Sequence, residues 1–241
     1  MKERPIIFNT EMVKAILDGR KTQTRRVMKP QPVKKDGFWE LYGAGWGYDN
    51  GTVPCVPGHS LSEKNPYGRP GDLLYVRETW KPAEWSADGD DWHIVYKAGG
   101  NGIVAPHLFD DEQKELDFWI KLSDELDEAC CPMDEGWYLQ PIDYVKWRPS
   151  IFMPKNAARI WLKVKSVRVE RVQDISDKES IAEGIPNGAY AVNPKTSFRK
   201  LWDSINAKRD GGIYSWESNP WIWVVDFEVV STNGKPEADH A

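Results

Sequence analysis

Residues 19–26 read GRKTQTRR: four cationic side chains and two threonines within eight positions of a chain whose formal net charge is -5. The preceding EMVKAILD (11–18) places Met12, Ala15 and Ile16 on one helical face, with Leu17 beside them. Asn9 or Thr10 supplies the N-cap, and Gly19 stands where a helix ends in a left-handed residue. A strand through Thr24 to Val27 should follow. The cationic knot therefore straddles the turn between a helix and a strand.

The positive charge is local. Residues 1–35 hold ten Lys/Arg against three Asp/Glu, whereas residues 83–143 hold three against sixteen. The chain reads as a basic body carrying an acidic insertion, and a sequence pI of about 5.5 hides both. Its 241 residues suit one decorated domain or two small ones. Nowhere do apolar residues run for the roughly 18 positions that a bilayer crossing needs, so no membrane partner is expected. The opening MKERPIIFNTEM lacks a secretory signal, and three cysteines cannot all pair within one molecule, which together point to a reducing cytoplasm. The thirteen tryptophans read chiefly as core, WIWVV at 221–225 above all; any left outside the core offer stacking platforms for bases.

Outward from the knot, RPIIFN (4–9) predicts a strand. Residues 28–65, with KPQPVKKDG and GAGWGYDNG, read as a long irregular excursion. GDLLYVRETW (71–80) predicts a buried strand after a Pro-Gly-Asp turn, with Asp72 serving the turn rather than catalysis. In the acidic stretch, WHIVYKA (92–98) predicts a strand. Residues 110–129 predict an amphipathic helix with Leu116, Trp119, Ile120 and Leu126 on its apolar side. ARIWLKVKSVRVERV (158–172) suggests two strands with a kink near Ser166. ISDKESIAEGI (175–185) carries a capping box, Ser176 with Glu179, and Gly184 closes that helix. SFRKLWDSIN (197–206) predicts a helix turning Phe198, Leu201, Trp202 and Ile205 inward, WIWVVDFEVV (221–230) the last strand, and 233–241 a mobile tail. Short strands among short helices, without regular alternation, argue against a doubly wound parallel sheet. The expectation is an α+β fold: a mostly antiparallel barrel with flanking short helices, one domain over 1–232 with insertions at about 28–65 and 82–143.

The order helix, Gly19, Lys21, Thr24, Arg26, then a Gly71-Asp72 strand, a short helix ending Ala182-Glu183-Gly184 and a final hydrophobic strand resembles the ASCH domain family of the PUA-like superfamily. It looks most like the longer ASCH proteins of phages and prophages. The resemblance covers residues 4–27, 66–81 and 144–230, and it implies a pseudobarrel with a cleft facing nucleic acid or a nucleotide. One small bacterial family with this fold is an amidohydrolase that removes the acyl group from N4-acetylcytidine; its catalytic lysine, threonine and glutamate match Lys21, Thr24 and Glu183. Many other ASCH proteins have glutamate where this chain has Thr24, and some are described as RNA-binding or ribonucleolytic.

As chemistry, Thr24 needs a base to become a nucleophile. Lys21 is that base if burial and the neighbouring Arg20, Arg25 and Arg26 leave its amine neutral. Glu183 then protonates the leaving amine or steadies the tetrahedral intermediate. The competing reading is structural: Lys21 and Glu183 close the barrel mouth as an ion pair, and Thr24 is an ordinary strand residue. On an ideal strand residues 21 and 24 face opposite ways, so catalysis requires Lys21 to remain in the turn after Gly19. Glu183, in the last turn of a short helix, faces the negative end of the helix dipole and calls for a compensating cation. Arg20, Arg25, Arg26 and Lys29 are candidate phosphate contacts, with Arg159 and Lys163 as additions from another strand. Cys55, His59, Cys130 and Cys131 do not have the spacing of a standard zinc site, and neither a metal nor a cofactor is expected. The expected partners are nucleic acid or a modified nucleoside, with a host protein as a further candidate through the acidic insertion.

Overall fold

The computed structural model describes residues 1–35, 38–41, 44–47, 53–54, 64–85, 91–128, 145–186 and 193–237. In chain order the elements are β1 (Glu3–Ile7), α1 (Thr10–Leu17), β2 (Gln23–Val27), β3 (Val33–Lys35), β4 (Phe38–Leu41), β5 (Ala44–Gly47), β6 (Val53–Pro54), β7 (Leu73–Arg77), β8 (Trp80–Trp85), β9 (Trp92–Tyr96), β10 (Ile103–Ala105), α2 (Glu112–Glu128), β11 (Trp161–Arg171), α3 (Asp177–Ala182), α4 (Pro194–Asn206) and β12 (Trp221–Ser231). The fold is α+β. The chain divides into two compact units, the first comprising Met1–Lys2, Ala15–Leu73 and Lys163–Glu228, the second Glu3–Lys14, Leu74–Leu162 and Val229–Ala241.

In the first unit β11, β12 and β2 lie side by side, with β6 paired to β11. β12 and β2 run antiparallel in a register that sets Trp223 opposite Arg26, Val225 opposite Thr24 and Asp226 opposite Gln23. Val224 and Ile222 turn into a core with Val172, Ile175, Phe198, Trp202 and Trp216. α4 contributes Phe198 and Trp202, and Leu201 is partly buried, but Ile205, expected inside, is 41% exposed. The supposed excursion after residue 28 contains a three-stranded antiparallel sheet, β3-β4-β5. Strands of three or four residues are too short for an alternation to register in the sequence. β11 is one strand rather than two. The parity of its buried residues switches between Val164 and Val167, which is the signal that suggests a kink, yet the strand continues through it.

In the second unit β8, β9 and β10 form an antiparallel sheet. Its core joins Trp80, Trp92, Ile94 and Tyr96 to Leu108, Leu122, Leu126 and Met153. Most of these come from the acidic stretch, so its described residues build a core rather than decorate one. The buried line of α2 runs through Leu122 and Leu126 with Phe118 and Trp119 beside it, whereas Leu116 and Ile120 are each 52% exposed. Trp119 and Leu126 thus pack inward as the sequence suggests while Leu116 and Ile120 do not, because Phe118 stacks on Trp80 and meets Trp92 edge-on while Trp119 tilts against Trp92, and these contacts set the helix's phase. The expected tail is tied down as far as it is described: Gly234 N–H donates to Arg159 O at 3.0 Å and Lys235 pairs with Glu3 at 2.9 Å.

Candidate functional site

The site grows from two helix ends in the first unit. Gly19, at φ 71°, closes the turn after α1, and the N–H groups of Arg20 and Lys21 both donate to Ala15 O at 2.9 Å. Lys21 therefore lies in the turn, ahead of the first residue of β2. α3 starts as the sequence predicts: Ser176 Oγ accepts from Glu179 N–H while the Glu179 carboxylate accepts from Ser176 N–H. It ends at Glu183, followed by Gly184 at φ 94°. The two ends are stitched by a bridge between Lys21 and Glu183 and by Thr22 N–H donating to Ala182 O at 2.9 Å. A Cβ on Gly184 would stand 2.8 Å from Ala15 Cβ and 3.2 Å from Lys21 Cβ, so the approach depends on glycine.

Lys21 Nζ donates to Glu183 Oε2 at 2.6 Å and to Glu183 O at 2.8 Å. The side chains are 0% and 3% exposed. This ammonium is the cation that a carboxylate at the end of α3 calls for. Burial holds Lys21 below the ordinary lysine range; Glu183 opposes that shift, and the guanidinium groups of Arg26 and Arg25 reinforce it. Arg25 and Arg26 project from opposite faces of β2.

A polar stripe crosses the three adjacent strands beneath this pair. Gln23 and Arg25 on β2, Asp226 on β12, and Ser166, Arg168 and Glu170 on β11 alternate at the two-residue period that gives one sheet face. Arg25 donates to Glu170 Oε1 through Nη2 at 2.7 Å and Nε at 3.2 Å, and its Nη1 reaches Glu183 Oε1 at 3.4 Å. Arg168 braces the far side, pairing with Glu179 at 2.6 Å, Asp226 at 2.8 Å and Glu170 at 3.1 Å. Gln23 links Arg25 to Asp226. Each carboxylate oxygen of Glu183 thus has its own cation. Thr24 is 1% exposed and, by alternation, occupies the other face of β2.

Lys21 and Glu183 are brought together, and Thr24 lies three residues away along the chain. Of the candidate phosphate contacts, Arg20 is exposed, donating to Gly184 O and Asp18 at 2.8 Å each. Lys29 is exposed, pairs with Asp210 at 2.7 Å and lies over the Tyr214 ring. Lys163 is exposed, and Arg26 is half-buried beside Tyr67 and Arg209. Arg25 and Arg159 are different, because burial commits their guanidinium groups to carboxylates inside the protein. Arg159, in the second unit, holds Glu78 in a fork of 2.9 and 3.0 Å and covers the Tyr96 ring at 4.1 Å.

Sequence reasoning missed Glu170, Arg168 and Asp226 as parts of the site. For Arg168 and Glu170 the signal was present in SVRVE (166–170), where polar residues alternate with valines on a strand long enough to be central. Asp72 accepts from the N–H groups of Lys2 and Arg69, which is turn duty. Trp80, Trp161, Trp202, Trp221 and Trp223 are buried. Cys55, His59, Cys130 and Cys131 lie outside the described residues. Among the described residues no helix is long and apolar enough to cross a membrane.

Compared with protein-family models, curated proteins and solved structures, the chain matches none of them.

Proposed function

We propose that this chain is an ASCH-like, PUA-like protein that processes a nucleoside or nucleic acid, and that its reaction is hydrolysis of the acyl amide of an N4-acylated cytosine. The reading is supported by one observation above the rest: a fully buried lysine, drawn below its ordinary pKa, paired to a carboxylate from 162 residues away. Burying that pair carries a large desolvation cost, and perturbed ionisable pairs of this kind concentrate at functional sites. The positions are also those at which the family resemblance sets its catalytic residues.

In the proposed reaction the neutral Lys21 amine takes the Thr24 hydroxyl proton as Oγ1 attacks the acyl carbon. The tetrahedral intermediate collapses by breaking the C–N bond, and the proton on Lys21 passes to the departing N4 amine. Water then hydrolyses the threonyl ester, releasing the carboxylic acid and restoring the hydroxyl. Glu183, held by Lys21 and Arg25, fixes the amine's position through the cycle.

A second reading, a module that binds nucleic acid or a modified nucleotide without turning it over, is favoured by the burial of Thr24 and Lys21. Incubation of purified protein with N4-acetylcytidine, followed by chromatography, separates the two. Conversion to cytidine by wild type and its loss in Thr24→Val support the hydrolase; undiminished turnover in Thr24→Val rules out threonine chemistry, and an inert wild type leaves the binding reading.

A further inference from the structure

The second unit holds a feature that the hydrolase reading does not use. β10, the outermost strand of its sheet, and residues 233–235 after β12 both line a cavity of about 230 Å³. Ala158 and Trp161 are buried beneath it, and Val104 and Pro106 add apolar surface that is still exposed. The polar wall is one-sided: it is made by Lys155, Lys235, His107, Asn156 and Asn233, and among the described residues no aspartate or glutamate joins it. This lies beside a stretch, 83–143, with sixteen acidic residues against three basic ones. The two lysines share one carboxylate, Glu3 pairing with Lys155 through Oε2 and with Lys235 through Oε1 at 2.9 Å. Both side chains remain reachable, 36% and 58% exposed, and an ammonium has three N–H donors, of which Glu3 occupies one. Asn233 Oδ1 accepts from Ser231 Oγ at 3.0 Å, and Asn156 gives one amide hydrogen to Asp110 at 3.1 Å, so each asparagine keeps donor capacity.

We propose that this cavity binds a small organic phosphate monoester, its phosphate between Lys155 and Lys235 and its apolar body against Val104 and Pro106. Ligand sites join apolar walls to a few placed polar groups, and this one is smaller than the roughly 300 Å³ at which drug-sized pockets begin, so it suits a compact molecule. A phosphate monoester brings close to two negative charges and three acceptor oxygens, enough for two ammonium groups and an amide at once. A monocarboxylate, including an aspartate or glutamate of a second copy, brings one charge and has no advantage over the Glu3 already present. A nucleic-acid phosphate, a diester, likewise carries a single charge. Residues 233–235 complete the wall only while docked, as they are through Gly234 N–H donating to Arg159 O at 3.0 Å, so an occupant should hold that segment in place.

The test is calorimetric titration of the full chain with phenyl phosphate, set against inorganic phosphate, benzoate and phenol. Phenyl phosphate should bind at least about tenfold more tightly than each of the other three. Lys155→Gln/Lys235→Gln should weaken it at least about tenfold, while Lys97→Gln/Lys146→Gln, which removes the same charge from exposed positions of the same unit, should change it by less than about twofold. In the wild type, phenyl phosphate should also slow hydrogen exchange of the Gly234 amide. Equal loss in the two double variants, or exchange at Gly234 that phenyl phosphate leaves unchanged, overturns the proposal in favour of diffuse attraction to the surface. Benzoate or inorganic phosphate binding as tightly as phenyl phosphate overturns the assignment of a phosphate monoester, and no binding of phenyl phosphate overturns the site. Self-association of the unliganded chain that Lys155→Gln/Lys235→Gln abolishes overturns it in favour of a second copy.

Discussion

Lys21 and Glu183 meet across 162 positions of sequence through a 2.6 Å ion pair that neither side chain exposes by more than 3%. Removing one partner of such a pair leaves a buried charge without compensation, whereas replacing both with apolar residues of similar volume often restores stability. Lys21→Ala and Glu183→Ala should therefore each destabilise the protein by about 3–5 kcal/mol. The double variant Lys21→Met/Glu183→Leu should recover most of that loss in a denaturant titration. A double variant as unstable as the singles would mean that Arg25 and the polar stripe need the Glu183 carboxylate for their own sake.

The charges around Lys21 give opposite expectations for two neighbours. Arg25 pushes the Lys21 pKa down, so Arg25→Gln should raise it. Glu170 holds Arg25 with two hydrogen bonds, and Glu170→Gln should release that guanidinium toward Glu183 and lower the Lys21 pKa further. Lysine side-chain NMR reads both. Where the protein turns over substrate, rate should rise with pH as the ammonium loses its proton, with a midpoint below 10.5. The stability consequence has the same sign: between the lowered folded value and the unfolded one the unfolded chain holds more protons, so Lys21 makes stability rise with pH across that window. Shifts of the same direction in Arg25→Gln and Glu170→Gln would contradict this arrangement.

Two glycines bracket the site and should respond unequally to a methyl group. At Gly19 a Cβ meets nothing within 4 Å, so Gly19→Ala carries only the strain of a left-handed alanine, about 1–2 kcal/mol. At Gly184 the Cβ meets Ala15 and Lys21 as well, in a backbone conformation at φ 94°. Gly184→Ala should destabilise by clearly more than Gly19→Ala and should displace Lys21 from Glu183. Equal melting temperatures for the two variants would show that the α1 end yields without cost.

What the sequence disclosed follows from the range of the interactions involved. The end of α1 at Gly19, the Ser176–Glu179 capping box and the end of α3 at Gly184 are fixed by residues within four positions of one another, and all three were legible. The phase of α2 was legible only in part: Trp119 and Leu126 pack inward as expected, but Leu116 and Ile120 are as apolar as Leu122, and it is contact of Phe118 with Trp80 and Trp92 and of Trp119 with Trp92 that turns them outward. Arg25 and Arg159 looked like surface cations for the same reason. Their carboxylates, Glu170 and Glu78, are 145 and 81 positions away, and no local pattern signals the pairing.

That distinction between buried and exposed cations decides how nucleic-acid binding should depend on salt. Each phosphate neutralised on a single strand contributes a slope of about -0.7 in the logarithm of affinity against the logarithm of salt. Lys163 and Lys29 are exposed, and the Lys29–Asp210 pair is open to solvent on both sides, so both lysines can exchange their present surroundings for a phosphate. Lys163→Ala and Lys29→Ala should each flatten the slope by about 0.7 with single-stranded RNA. Arg25 is fully buried and already bound to Glu170, so Arg25→Gln should lower stability while leaving the slope as it is. A slope that Arg25→Gln flattens and the two lysine variants leave alone would place the phosphate path through the buried polar stripe, with Arg25 turning outward from Glu170 to meet the ligand.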